Sequence, residues 1–300
     1  MQLRKAERTK AKLRIGFSSI SGGGKTVSAL LVAYGITGDW NKIAVIDSEN
    51  NSADLYANHR LSNGVVIGEF QVLPLEAPYS PERYIEAICT CEANEDIEVL
   101  IIDSISHEWE GNGGVINLAD QLGGSFSGAW KNLTPRHEAW KNAILKSRCH
   151  VFTTVRRKQE YIIIEDVNKA GKSVQKPVKA GLKEITRDGW EYELTLNLEL
   201  DISHNASASK DRTGLFMDKA SFIPSIATGE LLRDWCDTGI DVEQQIKEAI
   251  LKLNNCTTVD DLKTLKEILP SYVTSSNEFK IAGGERYKII TKPAEPAQTA

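Results

Sequence analysis

A run of Ser21, Gly22, Gly23, Gly24, Lys25 and Thr26 stands between an apolar stretch at Leu13–Phe17 and a helical pattern at Val27–Tyr34. Glycine tolerates positive φ and has no Cβ, so successive backbone N–H groups in such a turn converge on phosphate oxygens. The helix start behind the turn adds partial positive charge. Lys25 then reaches the β- and γ-phosphates of a nucleotide, Thr26 holds Mg²⁺, and Ser21 through Val27 form the cradle. The expected ligand is ATP with Mg²⁺. The pattern Gly-x-x-x-x-Gly-Lys-Ser/Thr fails only at its first glycine, which is Ser19 here. A chance glycine turn is the competing reading, and the strand–loop–helix order argues against it.

A second element of the same chemistry is Val99–Asp103, an apolar strand ending in a carboxylate that can support the Mg²⁺ shell. Without the loop at 21–26 it would read as a plain buried strand. Ser104 follows Asp103, so a carboxylate that orients the attacking water must come from elsewhere. Glu49, at the end of the Ile46–Glu49 run, is the candidate, because ligands of open α/β sheets sit at the carboxyl ends of strands. Glu108 and Glu110 are the next carboxylates to consider.

These residues need a scaffold. Apolar runs at Lys12–Phe17, Lys42–Asp47, Val99–Asp103 and Cys149–Val155 alternate with helical patterns at 26–36, 81–93 and 135–147. That alternation predicts an α/β fold, a mainly parallel sheet covered by helices. Beyond residue 155, Glu160–Glu165 and Ser173–Val178 around a polar turn suggest a hairpin or a loop ordered on binding. Trp190–Ile202 and Thr213–Met217 read as strands that extend the sheet in antiparallel fashion. Asp241–Asn254 and Thr258–Leu269 read as amphipathic helices. The expected organisation is a basic arm at 1–11, an ATPase core at 12–237, a helical region at 238–290 and a disordered tail at 291–300.

The net charge of −5 argues against a wholly basic surface. Charge is nevertheless clustered, with Arg4, Lys5, Arg8, Lys10, Lys12 and Arg14 at the start and many Lys and Arg between 156 and 187. Such stripes fit either a confined polyanion site or solvated segments. No apolar run approaches the ~18 residues of a membrane span. The five cysteines fall in no metal-binding or disulfide pattern, which points to the cytoplasm. Trp130, Trp140, His107 and His137 read as packing residues before they read as ligands.

Residues 46–57 resemble the segment of RecA that carries its catalytic glutamate, which aligns with Glu49. The resemblance implies that Tyr56, seven residues on, stacks on adenine, with Asp54 nearby. Residues 151–158 resemble the strand entering RecA's second DNA-binding loop. Thr154 stands where that family has a glutamine that senses the γ-phosphate. The order of Ile102–Trp109, Trp130–His137 and the Lys210-x-Arg212 pair is similar to core-only, phage-encoded RecA-like ATPases of the Sak group.

That resemblance implies a RecA-like P-loop core over residues 12 to about 220 and DNA-stimulated ATP hydrolysis. It implies a role in phage recombination or replication, in the host cytoplasm. It places Lys210 and Arg212 across a subunit interface, so that hydrolysis requires a filament or ring of this chain. Single-stranded DNA would run along Arg156, Arg157, Lys158, Lys169, Lys172, Lys176 and Lys179. A single-strand-binding protein is a further partner in this reading, and no membrane is. A helicase or packaging-type motor, or a non-catalytic nucleotide-dependent DNA-binding adaptor, are the alternatives.

Overall fold

The computed structural model describes residues 8–123, 126–167 and 173–291. Within them the chain forms two compact units, Lys12–Trp235 and a smaller one joining residues before 12 to Cys236 onward.

The larger unit is built on an eight-stranded sheet. Its strands are β1 (Arg14–Ser19), β2 (Ile43–Asp47), β3 (Gln71–Pro74), β4 (Val99–Asp103), β5 (His150–Val167), β6 (Ser173–Glu184), β7 (Leu196–Leu200) and β8 (Ala206–Asp211). The order is β3-β2-β4-β5-β1-β7-β8, with β6 paired to β5. Pairings among β1 to β5, and of β7 with β1, are parallel, whereas β8 and β6 attach antiparallel. This is the α/β architecture expected, including the antiparallel extension. Strands β1, β2 and β4 are buried along their whole length, as befits parallel strands covered on both faces.

Helices α1 (Lys25–Thr37), α2 (Pro81–Glu92), α3 (Ser106–Glu110), α4 (Val115–Leu122), α5 (Phe126–Lys146), α6 (Trp190–Glu193) and α7 (Ile226–Asp237) complete this part of the chain. Tyr84, Ile88, Trp140 and Ile144 from α2 and α5 pack on Ile46, Leu100, Ile102 and Val151 of the sheet. Trp140 is a core residue, as expected of a packing aromatic. Arg14 leaves the basic stripe: its guanidinium is buried and donates to the carbonyls of Leu13, Leu145, Ser147 and Cys149. Burial lowers its pKa to about 10.

Two expected strands are corrected. Trp190–Glu193 is a helical turn with Trp190 buried, and only Leu196–Leu200 is strand. Thr213–Met217 is a turn, because the Asp211 carboxylate accepts the backbone N–H groups of Thr213, Gly214, Phe216 and Met217. An aspartate that satisfies four local donors removes the need for a ladder. Strand β5 also runs past its expected end at Val155. Its first half crosses the core beside β1 and β4, and its second half forms a long hairpin with β6 from Arg157↔Glu184 to Val167↔Ser173.

In the smaller unit, α8 (Val242–Asn254), α9 (Val259–Ile268), α10 (Ser271–Thr274) and α11 (Asn277–Thr291) surround Leu253, Leu262, Leu265, Val273 and Phe279. Asp241 caps α8 at Gln244 N–H, and Thr258 with Asp261 forms a reciprocal cap on α9. The described part of the arm belongs here. Thr9 bridges Ile240 in parallel, and Lys10 pairs with Asp237 and Asp241. No helix among the described residues is long and apolar enough to cross a membrane.

Candidate nucleotide site

Strand β1 delivers the chain into the glycine turn, and α1 carries it away. Gly22 and Gly24 sit at φ of +80° and +82°, the left-handed region that a side chain would strain. Gly23 is needed for a different reason. A Cβ there would lie 1.8 Å from Ser19 Oγ and 2.8 Å from Ser19 Cβ. The serine at the first glycine position is therefore accommodated by the absence of a side chain four residues later. Ser19 is fully buried, and its hydroxyl has no partner among the described residues.

The turn opens onto a cavity of about 430 Å³ lined by Ser21, Gly22, Lys25, Thr26, Glu49, Ser52, Asp103, Arg156, Arg157 and Ile185. Lys25 Nζ donates to Ile20 O at 3.3 Å. Burial lowers its pKa against the opposing charges of Asp103 and Glu49. Asp103 ends β4 beside Asp47, the last residue of β2. Its carboxylate accepts from Thr26 Oγ1 and Thr154 Oγ1, each at 2.5 Å. Burial raises the Asp103 pKa, and the two hydroxyls pull it back. A hydroxyl and a carboxylate oxygen in contact are the hard donors that suit Mg²⁺, so the residues fit the implied ion. The nucleotide fits as well, since the left-handed glycines and Lys25 face the same cavity.

Glu49 is held by the loop after β2. Asp47 accepts the N–H groups of Glu49 at 2.6 Å and Ala53 at 2.8 Å, which turns that loop back toward the cavity. The Glu49 carboxylate is engaged on both oxygens. Ser104 Oγ donates to Oε1 at 2.9 Å, Arg156 Nε donates to Oε1 at 2.8 Å, and Arg156 Nη2 donates to Oε2. Burial pushes its pKa up, but the hydrogen bonds and charge of Arg156, with Ser104, carry it below its usual value. Ser104 is itself fixed, its N–H on Ser48 Oγ at 3.0 Å and its carbonyl accepting Tyr84 OH at 2.8 Å.

The remaining expected residues fall in several places. Tyr56 is half-buried, and burial followed by the Asp103 charge raises its pKa; it is not among the residues lining the cavity. Glu108 is fully buried against His137 Nδ1 at 3.0 Å, and Glu110 pairs with Lys158, so neither faces Lys25. Lys210 and Arg212 lie at the β8 edge and both donate to Tyr192 O.

Arg156 and Arg157, expected on a loop after Val155, lie on β5 and line the Lys25 cavity. Arg156 binds Glu49, and Arg157 is largely buried between Glu199 and Leu182 O. The cause is that β5 continues as a strand, which keeps these side chains over the sheet rather than on a loop. Lys158 and Lys179 are on the hairpin, with Lys179 exposed. Lys169 and Lys172 lie outside the described residues. The backbone of Lys176 pairs with Ile164.

Three features escape a linear reading. The first is the Arg156–Glu49 pair. The second is the β7–β8 turn, where Asp201 O, Ile202 and His204 come up against Gly23, Gly22 and Gly24. The third is a cleft of about 610 Å³ that includes Trp109, Trp130, Lys158, Lys183 and Arg187. Trp109 and Trp130 lie 5.7 Å apart in it, and Arg187 sits 6.0 Å above Trp130.

The AAA domain family matches residues 11–261, and the chain belongs to that family. Its core is accordingly a P-loop ATPase domain. No curated protein matches the chain. Among solved structures, a KaiC-like protein from the hyperthermophilic archaeon Pyrococcus horikoshii OT3 is similar, at 13% identity and a TM-score of 0.41. That similarity covers 70% of this chain and 85% of the other.

Proposed function

We propose that this AAA-domain chain hydrolyses ATP in the Lys25 cavity and couples turnover to single-stranded DNA, within phage recombination or replication. The observation that carries the ATPase reading is the meeting of Lys25, Thr26, Asp103 and Glu49 around one cavity. Lys25 and the turn amides bind the phosphates. Thr26 and Asp103 would hold Mg²⁺, which when bound neutralises charge on the β- and γ-oxygens. Glu49 orients a water toward the γ-phosphorus and takes its proton as the bond to the bridging oxygen breaks, giving ADP and phosphate.

The DNA half rests on the hairpin and the Trp109–Trp130 cleft. Indole faces stack on bases without regard to sequence, and Lys158, Lys169, Lys172, Lys176 and Lys179 supply salt-sensitive phosphate contacts. Lys210 and Arg212 act in this reading on the ATP of a neighbouring copy, in a filament or ring. A second reading, a nucleotide-dependent DNA-binding adaptor without turnover, is favoured by one observation: Arg156 occupies both oxygens of Glu49.

ATP turnover measured without DNA, with single strands and with duplex decides between them. Stimulation by single strands that vanishes in Lys25→Ala is the expected result. Turnover surviving in Lys25→Ala would remove the site, and equal turnover in all three conditions would remove the DNA coupling. Nucleotide-dependent DNA binding without turnover selects the adaptor.

A further inference from the structure

We propose that the cleft beside Trp109 and Trp130 is a pocket for one unpaired base of the bound strand, and that it selects bases presenting an amino group (cytosine, adenine or guanine) over thymine. The inference rests on the single-strand reading above and adds to it a base preference and the residue, Glu184, that sets it.

The cleft has the wall on which a base stacks. The Trp109 and Trp130 rings, 5.7 Å apart and inclined by 37°, are both half-buried and form one aromatic surface. Trp109 is held from behind: its ring meets that of His137 at 5.7 Å and 63°, and His137 Nδ1 is fixed on the buried Glu108 at 3.0 Å. A wall fixed in advance loses little freedom when a ligand stacks on it. Arg187 stands 6.0 Å from the Trp130 centroid, and a planar guanidinium stacks on a base as it does on an indole. The volume, about 610 Å³, falls in the ~300–1,000 Å³ range of small-ligand sites. In a duplex both faces and the pairing edge of a base are occupied, so only an unpaired base reaches these groups.

Charge decides that the occupant is a base and not a phosphate. Lys158, Lys183 and Arg187 line the cleft with Glu110, Glu184 and Asp188, three cations against three carboxylates. Two of these pairs are closed on themselves, Lys158 Nζ on Glu110 Oε1 at 2.5 Å and Lys183 Nζ on Asp188 Oδ1 at 2.9 Å. Inside the cleft a phosphate finds no excess positive charge, whereas a neutral ring meets no such opposition. The flanking phosphates fall to the hairpin, where Lys179 is exposed. Glu184 is the acceptor best placed for the base edge. It is half-buried, and Asn197, only 2% exposed, donates Nδ2 to its Oε1 at 3.2 Å and so fixes its orientation. A carboxylate accepts from the amino groups of cytosine, adenine and guanine. Thymine flanks its one edge N–H with carbonyl oxygens, which a carboxylate repels. Stacking is indifferent to the base, and this contact is not.

The test is equilibrium binding of oligo(dC), oligo(dT) and an abasic strand of equal length, at one salt concentration and with a non-hydrolysable ATP analogue present. The proteins are wild type, Glu184→Gln, Trp130→Leu and Trp130→Phe. Wild type should hold oligo(dC) about 5- to 30-fold tighter than oligo(dT), and the abasic strand more weakly than either. Glu184→Gln keeps the Asn197 contact, but its amide both accepts and donates, so the ratio should fall toward one. Trp130→Leu should weaken both base-bearing strands by about 5- to 150-fold and leave the abasic strand unchanged, with Trp130→Phe between. A ratio near one in wild type, or one that Glu184→Gln does not move, overturns the selection. An abasic strand bound as tightly as oligo(dC) overturns the pocket, and if Trp130→Leu does not fold, Trp130→Phe and the abasic strand decide. Wild type that binds no single strand overturns the DNA reading as well, an outcome distinct from tight binding that ignores the base.

Discussion

Gly23→Ala isolates the packing of the phosphate loop from its backbone geometry. Gly23 is outside the left-handed region that Gly22 and Gly24 occupy, so alanine meets no conformational barrier there. The cost is steric. The new methyl would stand 1.8 Å from Ser19 Oγ, 2.8 Å from Ser19 Cβ and 3.3 Å from Asp201 O, where ordinary contact begins at 3.4 Å. Rotating the Ser19 hydroxyl removes the first overlap but not the second, because Ser19 Cβ is fixed by the pairing of β1 with β5. Overpacking of this kind costs about 1–3 kcal/mol. Charged to the geometry of the loop, that weakens ATP by about 5- to 150-fold.

Ser19→Gly removes both overlapping atoms. Alone it deletes a buried, unpartnered hydroxyl and adds a glycine to a strand, a cost of about 0.5–1 kcal/mol, so binding should stay near wild type. The double variant should recover most of the affinity that Gly23→Ala loses. Calorimetric titration of ATP into the four proteins, with melting curves to confirm folding, gives the coupling between the two positions. Wild-type affinity in Gly23→Ala, or a double variant as weak as Gly23→Ala, would refute the reasoning.

Two further outcomes follow from the site and its surroundings. Glu49→Gln should bind ATP near wild type and lose turnover, since the amide keeps the shape without the base; turnover close to wild type in a steady-state assay would return the role to another group. Glu108 is fully buried with Oε2 unpartnered among the described residues, and burial raises its pKa above the unfolded value. A raised carboxyl pKa means that the unfolded chain loses its proton first as pH rises. Stability is then lost above the unfolded pKa of ~4.3 and until the folded pKa is passed. Glu108→Gln lacks that loss, so its urea midpoint relative to wild type should rise as the pH climbs above about 4. Parallel pH profiles would show that His137 fully compensates the charge.

The parts of this protein legible in the sequence are those where covalent neighbours set the geometry. A strand, a glycine turn and a helix in succession place Lys25 and Thr26 whatever surrounds them. An apolar run ending in Asp103 puts a carboxylate at a strand's end, and Glu49 follows β2 in the same way. Even the defect at Ser19 was visible, though not its remedy, because the Gly23 contact depends on how the turn folds back over β1.

Which of these groups face each other depends on how the strands pack side by side. Arg156 and Glu49 are 107 residues apart and meet because β2, β4 and β5 lie side by side. Strand order also brought Thr154 to Asp103 and set Arg156 and Arg157 on the cavity wall. Arg14 and Lys10 looked alike in the chain, yet one is buried on four carbonyls and the other paired with Asp237 and Asp241. A charge run records what a segment carries, whereas its partners depend on what the fold brings within hydrogen-bonding distance, and only the packed sheet defines that.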